Sequence, residues 1–279
     1  MKRKEFIFTA VILLIAFIGI TIYKNRKYSK QNNSSTVFAK PDSVQAFWTY
    51  YNRATQYRLQ DKSDSAIISY QEALRLNPDH KDALYYIGNM YMKVGHFDKA
   101  RESWLKLTEL NPQSERAFNQ LGNLFFCMTH PNYFHPEKSK LYFERAYNLN
   151  KEALNPNLHL GEIALFRNRT NEASLIFHKL SMMDQKNMEI NFITGYLNWK
   201  SGKEQEAIRD LEHAFELQKN TISSKNQSIA ENQECDLFVN WLTNNLTAPE
   251  KYDIRVAMPD VYRKFDQYLI VMRSKLNHN

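Results

Sequence analysis

A small residue recurs in one column of the sequence, at Ala54, Gly88, Gly122, Gly161 and Gly195, with steps of 34, 34, 39 and 34 residues. Each sits in a segment of similar pattern: YYNRATQY from Tyr50, LYYIGNMY from Leu84, FNQLGNLF from Phe118, NLHLGEIA from Asn157 and NFITGYLN from Asn191. A second set of segments begins at Ala66, Ala100, Ser139, Ala173 and Ala207, again spaced by 34, 39, 34 and 34. The two sets step together, so the five extra residues fall between the two halves of the third unit. A repeat of this length restricts the fold more than any single motif, because one unit cannot bury its apolar face alone and has to stack on its neighbours.

Within a unit the apolar residues follow helical spacing twice, as in Leu84, Ile87, Gly88 and Tyr91 and then Ala100, Trp104 and Leu107. A short turn divides them, Val94-Gly95-His96 in the second unit and Ser201-Gly202-Lys203 in the fifth. That is a helix hairpin. The small column residue lets two helices approach closely, and Pro78 and Pro112 end the second helix because proline cannot continue it. Six of the seven glycines lie outside the N-terminal apolar run; four fill the column, and Gly95 and Gly202 fill turns. None is left for a phosphate-cradling loop, and no GxG pair occurs.

At these residues the chain resembles the tetratricopeptide repeat family, a 34-residue helix-turn-helix with the pattern L-G-x2-Y, A-x3-F and a closing Pro. The matching positions are Ile87-Gly88-x2-Tyr91, Ala100-x3-Trp104 and Pro112, with Leu121-Gly122-x2-Phe125 and Ala173-x3-Phe177 in other units. Departures are Ala54 for glycine, Ala164 and Asn198 in the aromatic column, and Lys151, Gln185 and Lys219 where proline would stand. The resemblance covers residues 47–219 and implies an all-α, right-handed solenoid of about five hairpins. Residues 220–279 are then expected to cap its last apolar face. One stripe of that cap is Leu237, Phe238, Trp241, Leu242 and Leu246; a second is Val261, Phe265, Leu269, Met272 and Leu276 behind Pro259, and Thr247 with Glu250 resembles a capping box.

The N-terminal end is organised differently. After a basic tail, residues 1–5, comes an uncharged run, residues 6–23 (FIFTAVILLIAFIGITIY), and then a polar tether, residues 24–46. At about 1.5 Å per residue an 18-residue helix reaches roughly 27 Å, enough to span a bilayer. No small-residue cleavage site follows the run, which favours an uncleaved single-pass anchor over a signal peptide. Lys2, Arg3 and Lys4 nearly balance Lys24, Arg26, Lys27 and Lys30, so orientation rests on the basic head preceding the apolar run. That layout places the remainder on the periplasmic side of a bacterial inner membrane. The net charge of +7 also resides here: beyond residue 30 the chain holds 30 cations against 29 anions, which gives no support for nucleic-acid binding.

The family resemblance implies an interaction module whose first helices line a concave surface for a peptide or partner protein. Helical spacing about the small column puts Tyr51, Thr55 and Arg58; Tyr85, Asn89 and Met92; Asn119, Asn123 and Phe126; Leu158, Glu162 and Leu165; and Phe192, Tyr196 and Trp199 on that face, with Arg116 nearby. Asparagine can pair with both N–H and C=O of a peptide, and aromatics supply contact area. A family-type carboxylate clamp does not fit, since Tyr85 and Asn119 stand where its lysine would be sought. No cofactor, small-molecule substrate or catalytic motif is expected. Two alternatives stay open: a cytosol-facing chaperone adaptor on an organelle membrane, and a metal or redox protein using Cys127, His130 and His135, although their spacing matches no standard site. Cys127 and Cys235, 108 positions apart, are expected to form neither a disulfide framework nor a zinc site.

Overall fold

The computed structural model describes residues 41–127, 132–224, 237–246 and 253–276, and these contain twelve helices and no strand. The helices are α1 (Pro41–Leu59), α2 (Ser63–Leu76), α3 (Lys81–Lys93), α4 (Phe97–Leu110), α5 (Glu115–Phe126), α6 (Pro136–Leu149), α7 (Leu154–Phe166), α8 (Thr170–Met183), α9 (Met188–Lys200), α10 (Glu204–Ser224), α11 (Leu237–Asn245) and α12 (Ile254–Leu276). The expected membrane segment, residues 6–23, lies outside the described residues, as do His130 and the expected capping box at Thr247 and Glu250. Among the described residues no helix is long and apolar enough to cross a membrane. The chain divides into two compact units, residues 1–49 and 50–279. Of the first, the start of α1 is described, where Phe47 and Trp48 meet edge to face with ring centroids 5.0 Å apart.

The second unit is a helical solenoid of paired helices, α3 with α4, α5 with α6, α7 with α8 and α9 with α10, each pair packed on the next. The residue that reverses the chain inside a pair takes a left-handed conformation: Asp61 (φ 61°), Gly95 (φ 78°), Asn168 (φ 58°) and Gly202 (φ 79°). Glycine adopts it without a steric penalty, and Asp and Asn tolerate it better than other side chains do. Helix starts are set locally. Asn187 Oδ1 accepts from the Ile190 amide at 3.1 Å and His80 Nδ1 accepts from Ala83 at 3.2 Å, while Asp82, Asp98, Glu115 and Glu137 lie in first turns where they complement the dipole.

The small column works by shape. A methyl group on Gly122 would come within 2.5 Å of the Phe143 ring and one on Gly161 within 2.7 Å of Phe177, and Trp104 fills the same notch above Gly88. These rings are fully or almost fully buried, and each contributes on the order of 1.5–3 kcal/mol by leaving water. Ser139 replaces the alanine of the third unit, and its hydroxyl donates to the Gly122 carbonyl at 2.9 Å. In the fifth unit the aromatic position holds Leu211, and the notch above Gly195 is filled by Tyr262 of α12, whose hydroxyl donates to Ala207 O at 3.2 Å. The C-terminal segment thus completes the last repeat as well as covering it.

The apolar interior separates into two main clusters. One joins Ala54, Tyr70, Ile87, Tyr91, Trp104, Leu121 and Leu124 across the first three pairs. The other runs from Phe126 and Phe143 through α7 and α9 to Phe238, Leu242, Leu246, Met258, Tyr262, Phe265, Leu269 and Met272. The buried stripe of α12 is turned slightly from the expected one, with Met258 and Tyr262 inside and Val261 at its edge.

Candidate functional site

Two sets of side chains emerge on the first helices of the pairs. On α1, α3 and α5 the face carries Tyr51, Thr55, Tyr85, Asn89, Met92, Arg116, Asn119 and Asn123, all half-buried. Arg116 pairs with Asp82 and lies 4.5 Å over the Tyr85 ring, and Arg58 lies 4.3 Å over Tyr86. Gln120 Nε2 donates to the Tyr85 hydroxyl at 3.3 Å, and Asn123 Nδ2 donates to Gln120 Oε1 at 3.3 Å. Tyr51 packs beside Tyr70 and His80, with ring centroids 5.8 and 5.2 Å away. Burial, with Tyr70 and Asp82 adding to it, pushes its phenol up to about 12, so it is a neutral hydroxyl.

The carboxamide oxygens of Asn89, Asn119 and Asn123 are all buried, and none accepts a hydrogen bond. An unmet buried acceptor costs about 1–3 kcal/mol, so three on one face require an explanation. Arg58 Nε is likewise buried without an acceptor. A recess between these helices is lined by Arg58, Asn89, Met90, Met92, Lys93, Trp104 and Gln120. Gln120, Tyr86 and Asp82 belong to this surface although the column arithmetic passes over them. Gln120 and Tyr86 lie one position after Asn119 and Tyr85, and Asp82 three before Tyr85, on the flank of the stripe that spacing selects.

The same positions on α5, α7 and α9 are placed otherwise. Phe126 is buried among Phe134, Phe143 and Phe166. Glu162 is 1% exposed, and its carboxylate meets His159 Nδ1 at 2.5 Å beside the stacked Phe143 ring. Phe192 and Tyr196 lie beneath α12, against Phe265 at 5.1 and 5.0 Å, and Trp199 is half-buried beside Tyr262 at 5.7 Å. The Tyr196 hydroxyl donates to Asp266 Oδ1 at 2.7 Å, Lys200 pairs with Asp266 at 3.2 Å, and Arg273 donates to the carbonyls of Leu165 and Phe166 at 2.8 and 3.2 Å. The chain's own α12 therefore occupies the face that stays open on α3 and α5. Helices α7 and α9 are apolar on nearly every side, LNPNLHLGEIALF and MEINFITGYLNWK, and that pattern marks a helix covered all round.

Of the Cys127, His130 and His135 set, Cys127 and His135 are described. Cys127 is disulfide-bonded, which corrects the expectation that the cysteines form none; a sulfur committed to that bond is not a thiolate ligand. The chain's other cysteine, Cys235, and His130 lie outside the described residues, and His135 is an exposed residue at the start of α6. Among the described residues no three His, Cys, Asp or Glu side chains are grouped to hold a metal ion.

With that geometry established, two family models, each described as tetratricopeptide repeat, match residues 47–80 and 81–114. Residues 47–114 are tetratricopeptide repeats. The solved structures similar to the tetratricopeptide array include MamA protein, 20% identical, with 67% of this chain and 100% of that one covered and a TM-score of 0.52. The MamA 41-end from Desulfovibrio magneticus RS-1 is 14% identical over 65% of this chain and 98% of that one, TM-score 0.51. Pseudomonas aeruginosa pilF is 13% identical over 81% and 99%, TM-score 0.53. At these identities the likeness is one of fold. No curated protein matches the chain.

Proposed function

We propose that the chain is a membrane-tethered scaffold or assembly factor that holds an extended peptide segment of a partner protein across α1, α3 and α5. The tetratricopeptide fold supports a protein–protein interaction scaffold, and repeats of this kind are generally non-enzymatic. The observation that carries the reading is the set of three unsatisfied amide oxygens at Asn89, Asn119 and Asn123 on half-buried side chains, which peptide N–H groups would satisfy once the carboxamides turn outward. Tyr51, Tyr85, Met92, Thr55 and Arg116 supply the contact area around them. Glu162, Phe192, Tyr196, Trp199 and Phe126 serve the C-terminal packing in this reading and do not touch the partner.

Residues 6–23 are proposed as the bilayer anchor, with the repeats on the extracytoplasmic side of a bacterial inner membrane. The disulfide at Cys127 supports that side, since such bonds persist in oxidising compartments. Site-specific crosslinking from the full chain tests the groove: Asn89→Ala with Asn123→Ala should weaken partner capture by about 1–3 kcal/mol. Equal recovery by the double variant and the native protein would sink the assignment. Protease accessibility in spheroplasts tests the side, and protection of the repeats by the inner membrane would reverse it.

A further inference from the structure

Away from the amide-lined face, a second cavity of about 1010 Å³, its open mouth included, lies where α6, α7, α8 and α12 meet. It is lined by Pro136, Glu137, Ile163, Phe166, Arg167, Asn168, Arg169 and Arg273. Three guanidiniums thus face one carboxylate. Glu137 pairs with Arg167, and Arg169 keeps a 3.4 Å contact with Glu172, yet Arg167 Nε is buried and donates to nothing. Burial first, and then the like charge of Arg169, lower the pKa of Arg167 from its ordinary value, with Glu172 acting the other way. The N-termini of α6 and α8 border the cavity, and neither is capped by a side-chain hydrogen bond, so two helix dipoles add to the positive field. Asn168, held at φ 58°, turns the chain so that Arg167 and Arg169 both line the cavity.

The geometry points to a phosphate-binding site formed by Arg167, Arg169 and Arg273, separate from the peptide-holding face and independent of it. The choice of phosphate over carboxylate rests on donors: Arg167, Arg169 and Arg273 line one cavity, and a phosphate monoester offers three strong acceptor oxygens and a charge of about −1.5 to −2 near neutral pH, where a carboxylate offers two oxygens and −1. Arginine forks match its oxygens bidentately.

The test uses the purified full chain with inorganic phosphate against chloride at matched ionic strength, read by 31P line broadening and by thermal unfolding. Phosphate should broaden and should raise the melting temperature. Arg167→Gln and Arg169→Gln, the latter exposed and outside the core, should each lose about tenfold in affinity, the size of one charged hydrogen bond. Glu137→Gln should bind more tightly than the native chain, because it removes the competing carboxylate. Glycerol 3-phosphate and monomeric dioctanoyl phosphatidic acid, added separately as competitors, distinguish a soluble ester from a lipid head group, and displacement by either supports the site. Absence of broadening, unchanged affinity in both arginine variants, weaker binding by Glu137→Gln, or displacement by neither competitor would overturn it.

Discussion

Thr55, Asn89 and Asn123 stand in one row across the first three repeats, and Glu162 and Tyr196 continue that row across the last two. Tyr51, Tyr85 and Asn119 are continued in the same way by Leu158 and Phe192. The backbone is the same helix hairpin throughout, yet the first part of each row is half-open and the second is buried, Phe192 and Tyr196 beneath α12. The repeat pattern sets which residues face the groove, and the chemistry of those residues sets whether the chain fills the groove itself. Where the rows hold unpartnered amides, a covering helix would leave polar atoms unmet; where they hold Leu158 and Phe192, or polar groups given partners, as Tyr196 is by Asp266 and Glu162 by His159, burial is favourable.

If the two halves are separate in energy as well as in packing, Phe265→Ala should have the largest effect. It removes the ring that α12 sets against Phe192, Tyr196, Phe238 and Trp241, at about 3–5 kcal/mol. Hydrogen exchange should rise across α7–α12 while α2–α4 keep their protection; equal loss in both halves would make the molecule one cooperative block. Next is Cys127→Ser, expected to lower stability by about 2–5 kcal/mol, the usual cost of removing a native disulfide. Alkylation of the denatured, unreduced native protein should label no thiol, and a labelled Cys127 would remove the bond from the account.

Gly122→Leu comes third. It forces a side chain into the Phe143 ring at the seam between the two clusters, and overpacking costs about 1–3 kcal/mol. A melting temperature equal to that of the native protein would mean the seam yields without strain. The Asp266 contact is smaller. Burial alone would raise its pKa, but the Tyr196 hydroxyl and Lys200 bring it below the ordinary carboxylate value. A lowered folded pKa gives stability that is present above the unfolded value of about 3.9 and is lost as pH falls through the folded one. Acid titration followed by Trp199 and Trp241 fluorescence should show α12 loosening below about pH 4, and Asp266→Asn should abolish that step. The smallest effect is expected at Asn89→Ala with Asn123→Ala, which leaves the melt within about 0.5 kcal/mol or raises it, since unsatisfied acceptors are removed. A clear loss of stability would show that those amides hold the fold.

The column of small residues, the turn glycines Gly95 and Gly202 and the pairing of Ala100 with Trp104 were legible because helical geometry ties them over a few turns of chain. The contact of Asp266 with Tyr196 and that of Arg273 with Leu165 join segments far apart in sequence, and no local spacing encodes them. Two signs were nonetheless present: the all-round apolar pattern of α7 and α9, and Leu211 where an aromatic ring belongs. The disulfide at Cys127 could not be read from the sequence, because cysteine pairing depends on where the fold brings sulfurs together. Half of the candidate site followed from the columns; the division into an open and a filled half depended on what the C-terminal segment does.

Tyr262 seated above Gly195 also bears on how an array like this can change length over generations. A copy of the second, third or fourth unit carries its own ring, Trp104, Phe143 or Phe177, and could be inserted in register with its notch already filled. A tandem copy of the fifth unit would carry Leu211 twice while Tyr262 could serve only the last of them, leaving the glycine of the other beside a void. Growth and shrinkage by unequal crossover are therefore tolerable upstream of α9 and penalised downstream of it, and the pair α9–α10 is bound by descent to the helix that follows.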